Sequence, residues 1–287
     1  MSRVLKQTVH KGLRDLLGLD IVRAGQPAAT FDDGWAEERA YWRQILSDFY
    51  QRQYGLSLHE SQSDDSLLPP LDTVAKIQQL NKADPDGFFA SGYRAVWAYH
   101  TELCDYGARV EKMQNILEMG VGLGRLILHY FPFAANLHGC DVTPEAIAWT
   151  TSKLGHRVKL QTTGVEPPLP YADGQFDFVY ANSVFTHVPC SLMEPWAAEL
   201  RRIIRPGGFL IFSVLDPNHY LRDLTYREFH RSYHAPGCRD WEQDKGVLML
   251  TYLSRDQLFR TWGEYFNVLE LRQHYREQSH LICMKSV

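Results

Sequence analysis

Three glycines within five residues, set between an apolar run and a second periodic stretch, constrain this chain more than any other feature: Glu118-Met119-Gly120-Val121-Gly122-Leu123-Gly124. Asn115–Met119 reads as a strand entering this turn and Arg125–Tyr130 as a helix leaving it. Strand, glycine turn and helix in that order let the backbone of an open α/β sheet approach a ligand, because glycine carries no Cβ and takes positive φ. A dinucleotide fingerprint, GxGxxG, needs a third glycine at Arg125 counted from Gly120, or at Ile127 counted from Gly122. Both registers fail. The phosphate-cradling pattern GxxxxGK followed by Ser or Thr is absent too.

The residues that follow keep strands and helices alternating. Asn136–Cys140, Val158–Gln161, Phe176–Tyr180 and Phe209–Leu215 read as strands. Pro144–Lys153 and about Ser191–Ile204 read as helices, with Pro144 near the start of the first and Thr143 as its cap. Ser254–Trp262 follows as a helix, then strands near Tyr265–Leu271 and His280–Met284. Such alternation means βαβ units and a mainly parallel sheet covered on both faces. Before it, residues 1–110 read as a helical region, with periodic stretches at Leu5–Leu17, Glu37–Tyr54, Leu71–Leu80 and Ser91–Tyr106. After the fifth strand, 216–252 is a long connection rich in His and aromatics, read as a lid.

Bulk properties narrow the class. The chain has 287 residues, 45% hydrophobic and 22% charged, enough for one large domain with an appendage. Its net charge of −4 gives no field favouring nucleic acid or an anionic membrane. No apolar run approaches the roughly 18 residues of a spanning helix. The five cysteines (Cys104, Cys140, Cys190, Cys238, Cys283) are odd in number and never spaced as CxxC. This argues against a disulfide framework or structural zinc and for a reducing, cytoplasmic location. The His and Asp residues of the lid fit no metal-binding spacing, so no metal is expected.

Asp141 ends the second strand, 21 residues after Gly120. A carboxylate there can accept two ribose hydroxyl hydrogen bonds, and Thr143 already serves as the helix cap.

With these residues in hand, the chain resembles the class I S-adenosylmethionine-dependent methyltransferases. Four blocks carry the likeness over roughly residues 90–285: Ile116–Gly124, Gly139–Glu145, Leu169–Val179 and Leu200–Leu210. Gly164–Tyr171 with Ser183–His187 is similar to a bacterial subgroup associated with cell-surface glycans and secondary metabolites. The resemblance implies a Rossmann-like fold with a seven-stranded, mostly parallel sheet, an N-terminal helical cap (1–110) and a cofactor-binding domain (111–287). It implies S-adenosyl-L-methionine as cofactor and S-adenosyl-L-homocysteine as product. Glu118 and the backbone of Gly120, Val121, Gly122 and Gly124 would face the methionine part, Asp141 the ribose and Val142 the adenine. Relatives often carry Gly-Asp after the third strand. Here Gly164 is followed by Val165, and the acid comes at Glu166, so the adenine amino contact falls to Glu166 or to a backbone group. Asn182 and Ser183 would lie beside the sulfonium, and Tyr93 and Arg94 within reach of the cofactor carboxylate.

Two histidines are candidate catalytic groups. His187 follows the fourth strand, as a base or as a supporting residue; His219 leaves the fifth strand at the sheet's carboxyl edge. Because such bases suit an alcohol, the expectation is O-methylation of a small molecule or glycan-linked precursor, with N-methylation or a non-enzymatic interaction role as alternatives. Aminopropyl transfer would need an acidic pocket that the lid lacks, and the failed third glycine disfavours a nicotinamide oxidoreductase. The amphipathic Val4–Leu19 segment reads as packing or a homodimer contact.

Overall fold

The computed structural model describes Pro69 and residues 85–131, 133, 135–215, 238–243, 247–274 and 278–287. The sequence periodicities at Leu5–Leu17, Glu37–Tyr54 and Leu71–Leu80, the Val4–Leu19 segment, and His219 with most of the lid lie outside the described residues. The first described helix, α1 (Pro85–Asp105), is the last of the expected N-terminal helices.

The sheet strands are β1 (Asn115–Met119), β2 (Asn136–Asp141), β3 (Val158–Thr162), β4 (Phe176–Ala181), β5 (Ile204–Val214), β8 (Asn267–Arg272) and β9 (Ser279–Met284). Their order is β3-β2-β1-β4-β5-β9-β8. The first five run parallel, and β9 pairs antiparallel with both neighbours. The chain winds outward from β1 to β2 and β3, then crosses back to β4. The order therefore reverses between β1 and β4, and the carboxyl ends of those two strands bound the crevice where open α/β sheets hold ligands.

Alternation along each strand builds two cores. Ile116, Phe178, Tyr180, Phe209, Ile211 and Ile282 face one side, against α1 and α2 (Pro144–Leu154). Leu117, Val179, Leu210, Phe212, Leu281 and Cys283 face the other, against α3 (Met193–Ile203) and α4 (Arg255–Gly263). β4 is buried along its whole length, as a strand covered on both faces must be.

Three local departures from the sequence reading have physical causes. The helix expected at Arg125–Tyr130 is a single 3-10 turn, Ile127–Tyr130, closed by bonds such as His129 N–H to the Leu126 carbonyl. All four of its residues are buried, so it lacks the solvent-facing stripe that supports a longer amphipathic helix. Thr143 occupies the N-cap of α2 without a side-chain bond; its backbone N–H goes instead to Asp141 Oδ1 at 2.8 Å. The connection after β5 contains a hairpin, β6 (Cys238–Gln243) and β7 (Val247–Leu253). The sequence reading took this stretch as part of one long aromatic- and histidine-rich connection without strands.

That hairpin is anchored at the sheet's carboxyl edge. Thr251 N–H donates to the Thr186 carbonyl and Leu253 N–H to the Leu215 carbonyl.

Candidate functional site

Gly120, Gly122 and Gly124 all take positive φ, at 76°, 49° and 79°, which any other L-residue would adopt only under strain. The turn is fixed by Gly120 and Val121 N–H groups on the Cys140 carbonyl and by the Thr150 hydroxyl on the Gly122 carbonyl at 2.8 Å. A Cβ added at Gly120 or Gly124 would strike Val184 or Leu154, whereas nothing lies within 4 Å of one added at Gly122. The middle glycine thus borders open space at the β1–β4 crevice.

Asp141 faces the same space. Its Oδ2 accepts the Gly122 N–H and its Oδ1 the Thr143 N–H, both at 2.8 Å. Each oxygen keeps a lone pair, so a rigidly aimed carboxylate remains able to accept two hydroxyl donors. Two valines after the neighbouring strand ends are solvent-exposed, Val142 following β2 at 51% and Val165 following β3 at 67%. Gly164 and Glu166 are exposed beside Val165. An acid with bare apolar side chains at these strand ends suits a ribose with an attached flat base.

Glu118, at the end of β1, is buried. Its Oε2 accepts the Tyr180 hydroxyl at 2.9 Å. Burial raises its pKa to about 8, opposed by the Tyr180 bond and the nearby Arg125 charge. A carboxyl held neutral beside the turn can become an anion once a cation arrives.

Beyond β4, Asn182 Oδ1 accepts the Tyr99 hydroxyl at 3.0 Å. Ser183 has φ 58°, an uncommon conformation for serine that marks functional sites more often than framework. Its N–H donates to Ser213 Oγ at 2.7 Å and its hydroxyl to Gln278 Oε1 at 3.1 Å. The strained residue is thereby clamped from β5 and from the segment before β9.

The sequence-predicted residues fall into groups. Glu118, the glycine turn, Asp141, Val142, Asn182 and Ser183 line the carboxyl ends of β1, β2 and β4. Gly164, Val165 and Glu166 follow β3, whose partner β2 ends in Asp141. Tyr93 is half-buried on α1, its ring 6.4 Å from Trp97 and 5.9 Å from His129; Arg94 beside it is exposed. His187 is half-buried in the turn after β4, its backbone N–H on the Val184 carbonyl. Tyr99, Ser213, Gln278 and Gly92 support the site without having been singled out. Gly92 allows α1 to lie directly on the Arg125 backbone, where any Cβ would collide with the Arg125 carbonyl. Only the periodicity of α1 hinted at Tyr99, and nothing local to Gln278 signals its role.

A cavity of about 680 Å³ lined by Asp173, Arg202, Tyr265 and Lys285 among others sits elsewhere, by the amino ends of β4 and β5. It contains none of the residues of the crevice. Cys190 is disulfide-bonded, a departure from the expectation of unpaired thiols, while Cys104, Cys140 and Cys283 are free. Among the described residues no helix is long and apolar enough to cross a membrane.

Residues 117–212 match the family model described as a methyltransferase domain. The chain is 25% identical over 144 residues to a sterol 4-C-methyltransferase of Caenorhabditis elegans, covering 47% of this chain and 42% of that protein. It is 27% identical over 137 residues to a ubiquinone biosynthesis O-methyltransferase of Alkalilimnicola ehrlichii, covering 45% and 54%. The chain thus spans about half the length of these curated relatives. Among solved structures, the 1,6-didemethyltoxoflavin-N1-methyltransferase of Burkholderia thailandensis aligns with a TM-score of 0.53 at 14% identity, over 93% of this chain and 94% of that one. This likeness is one of fold.

Proposed function

We propose that the chain, whose residues 117–212 match a methyltransferase domain, transfers a methyl group from S-adenosylmethionine to a small-molecule or glycan-linked acceptor, at oxygen. The observation that carries the reading is the Asp141 carboxylate, held by two backbone N–H groups beside the open side of Gly122, with the exposed Val142 next to it in sequence.

In this reading Asp141 accepts the ribose hydroxyls, Val142 and Val165 cover the adenine, and Glu166 or a backbone group meets its amino edge. Glu118 and the turn hold the methionine part, with Tyr93 and Arg94 on α1 as candidate partners of its carboxylate. The bound cofactor supplies an electrophilic methyl. The protein's part is then alignment, which can lower the barrier by roughly 7–11 kcal/mol in favourable cases. Asn182 and Ser183, fixed by Tyr99, Ser213 and Gln278, shape the wall on which the acceptor is set. A hydroxyl acceptor must lose its proton as the new bond forms, and His187 and His219 are the proposed bases. The relatives methylate at carbon and oxygen by name, and the structural neighbour at nitrogen, so product analysis decides the atom. The region 1–110 is proposed as the acceptor side, the region 111–287 as the cofactor domain with its lid at 216–252, and the cytoplasm as the location.

Calorimetry with S-adenosylhomocysteine tests the reading. The wild type should bind it, and Asp141→Ala should weaken binding at least about 10-fold through loss of a charge-assisted pair of bonds. Binding of NADH with no affinity for either S-adenosyl compound would overturn it.

A further inference from the structure

Away from the glycine turn, α1, the β8–β9 connection and β9 bring together three side chains that the proposed reaction does not use. Glu102 is 1% exposed and His280 4% exposed. His274 Nε2 and His280 Nδ1 both lie 2.8 Å from the same oxygen, Glu102 Oε1. One ligand atom from each residue can be chosen so that all lie within 4.8 Å of one another.

The second carboxylate oxygen is the unusual part. Glu102 Oε2 is buried without a hydrogen-bond partner among the described residues, an unfavourable state for a carboxylate oxygen. A hydrogen-bonded Glu-His-His cluster could relieve this by sharing its two imidazoles between the two oxygens, yet both converge on one. Nor does the nearby guanidinium complete the carboxylate, because Arg272 is paired with Glu270 at 2.6 Å and Asp105 at 2.7 Å. Two imidazoles and one carboxylate converging on a common point, with a bare oxygen beside them, form a donor set that a cation completes.

We propose that Glu102, His274 and His280 bind a divalent transition-metal ion of the zinc class. Two nitrogens and a carboxylate suit zinc, iron(II) or cobalt(II), whereas calcium and magnesium require oxygen-only shells. Ligands about 2.0–2.1 Å from a tetrahedral ion stand about 3.3 Å apart, so the 2.8 Å contacts need to open by only about half an ångström. Three protein ligands leave a fourth position open. The ion would pin the chain between β8 and β9 onto α1, one helical turn from Tyr99, whose ring lies 4.8 Å from that of His280 and whose hydroxyl holds Asn182. The three ligands come from one helix and a distant pair of histidines six residues apart, which is why no metal motif shows in the sequence.

The test is titration of chelator-treated full-length protein with zinc chloride by calorimetry, without any S-adenosyl compound, alongside the visible absorption of the cobalt(II) form. One equivalent per chain is expected. Glu102→Gln and His274→Ala should each weaken it at least about 10-fold and abolish the cobalt bands. His274 is partly exposed, so its alanine variant should still fold, as a cooperative melt in the absence of metal checks. Less than one equivalent in the wild type, or unchanged binding in both variants, would overturn the site. Because the cofactor takes no part, that failure leaves the methyltransferase reading standing.

Discussion

Glu118 is a charge held in reserve. Its folded pKa of about 8 lies above the ordinary carboxylate value because burial disfavours the anion. A raised acid pKa means the folded protein binds a proton that the unfolded chain releases. The associated stability is complete below the ordinary carboxylate range and is lost as pH rises through about 8. The melting temperature of the ligand-free protein should therefore fall from about pH 5 to about pH 8 more steeply than that of Glu118→Gln, whose curve isolates this residue's share. A cationic ligand beside Glu118 should pull its pKa back down. Binding of S-adenosylhomocysteine, whose amino group is charged, is then expected to release close to one proton at about pH 7, measured by calorimetry in buffers of different ionisation enthalpy. Equal proton release by Glu118→Gln would show that another group titrates. Asp141 and the turn were legible at this scale, because glycine spacing and a carboxylate at a strand end are local signals. The clamp on Asn182 and Ser183 was not, since Tyr99 reaches the first and Ser213 and Gln278 the second from three distant segments.

At the scale of elements, two ionic clasps explain why the blocks after β3 and around α3 have their composition. Arg202 binds both oxygens of Glu199, at 2.6 and 2.8 Å, and also Asp173 and the Tyr171 carbonyl. Glu199 in turn accepts the Leu169 N–H. Asp177 receives Arg205 on one oxygen and the Gln114 and Asn115 N–H groups on the other. Burial opposes its ionisation, but these donors hold its carboxyl below the usual range. Much of what the motif blocks encode is this fastening of loops to helices, with the chemistry borne elsewhere. The contact between α1 and the glycine turn is equally a backbone affair. Gly92→Ala must push the helix off the Arg125 carbonyl, and a cost of about 1–3 kcal/mol is expected from overpacking. The same shift should weaken S-adenosylhomocysteine binding, since Arg125 follows the turn directly. A urea titration and a binding isotherm on one preparation check both, and wild-type values in the two would show that α1 is free to move aside.

For the molecule as a whole, the sheet was readable because strand and helix periods differ, and strand positions came within a few residues. Ile204 joining β5 early, ahead of Pro206 and Gly207, was not readable, because Pro and Gly signal a turn locally while pairing with β4 decides otherwise. Nor was the hairpin Cys238–Leu253, whose strands pair with each other and with the edge of the sheet rather than within it. The acceptor remains written in residues whose partners are set by tertiary packing.

The place of β9, inserted between β5 and β8 although it follows both in sequence, has a consequence for biosynthesis. β5 is complete long before its outer neighbour is made, so the edge carrying Leu210 and Phe212 waits unpaired while more than sixty residues are translated. At a few to twenty residues per second that wait lasts seconds, during which an apolar strand edge can recruit another nascent chain. Truncation just before Ser279 should make that wait permanent, with the shortened protein in the insoluble fraction on expression. Recovery of soluble, cooperatively melting truncated protein would mean that β8 alone can close the edge. Ribosome pausing between β5 and β9 is thus the hazard that this strand order carries.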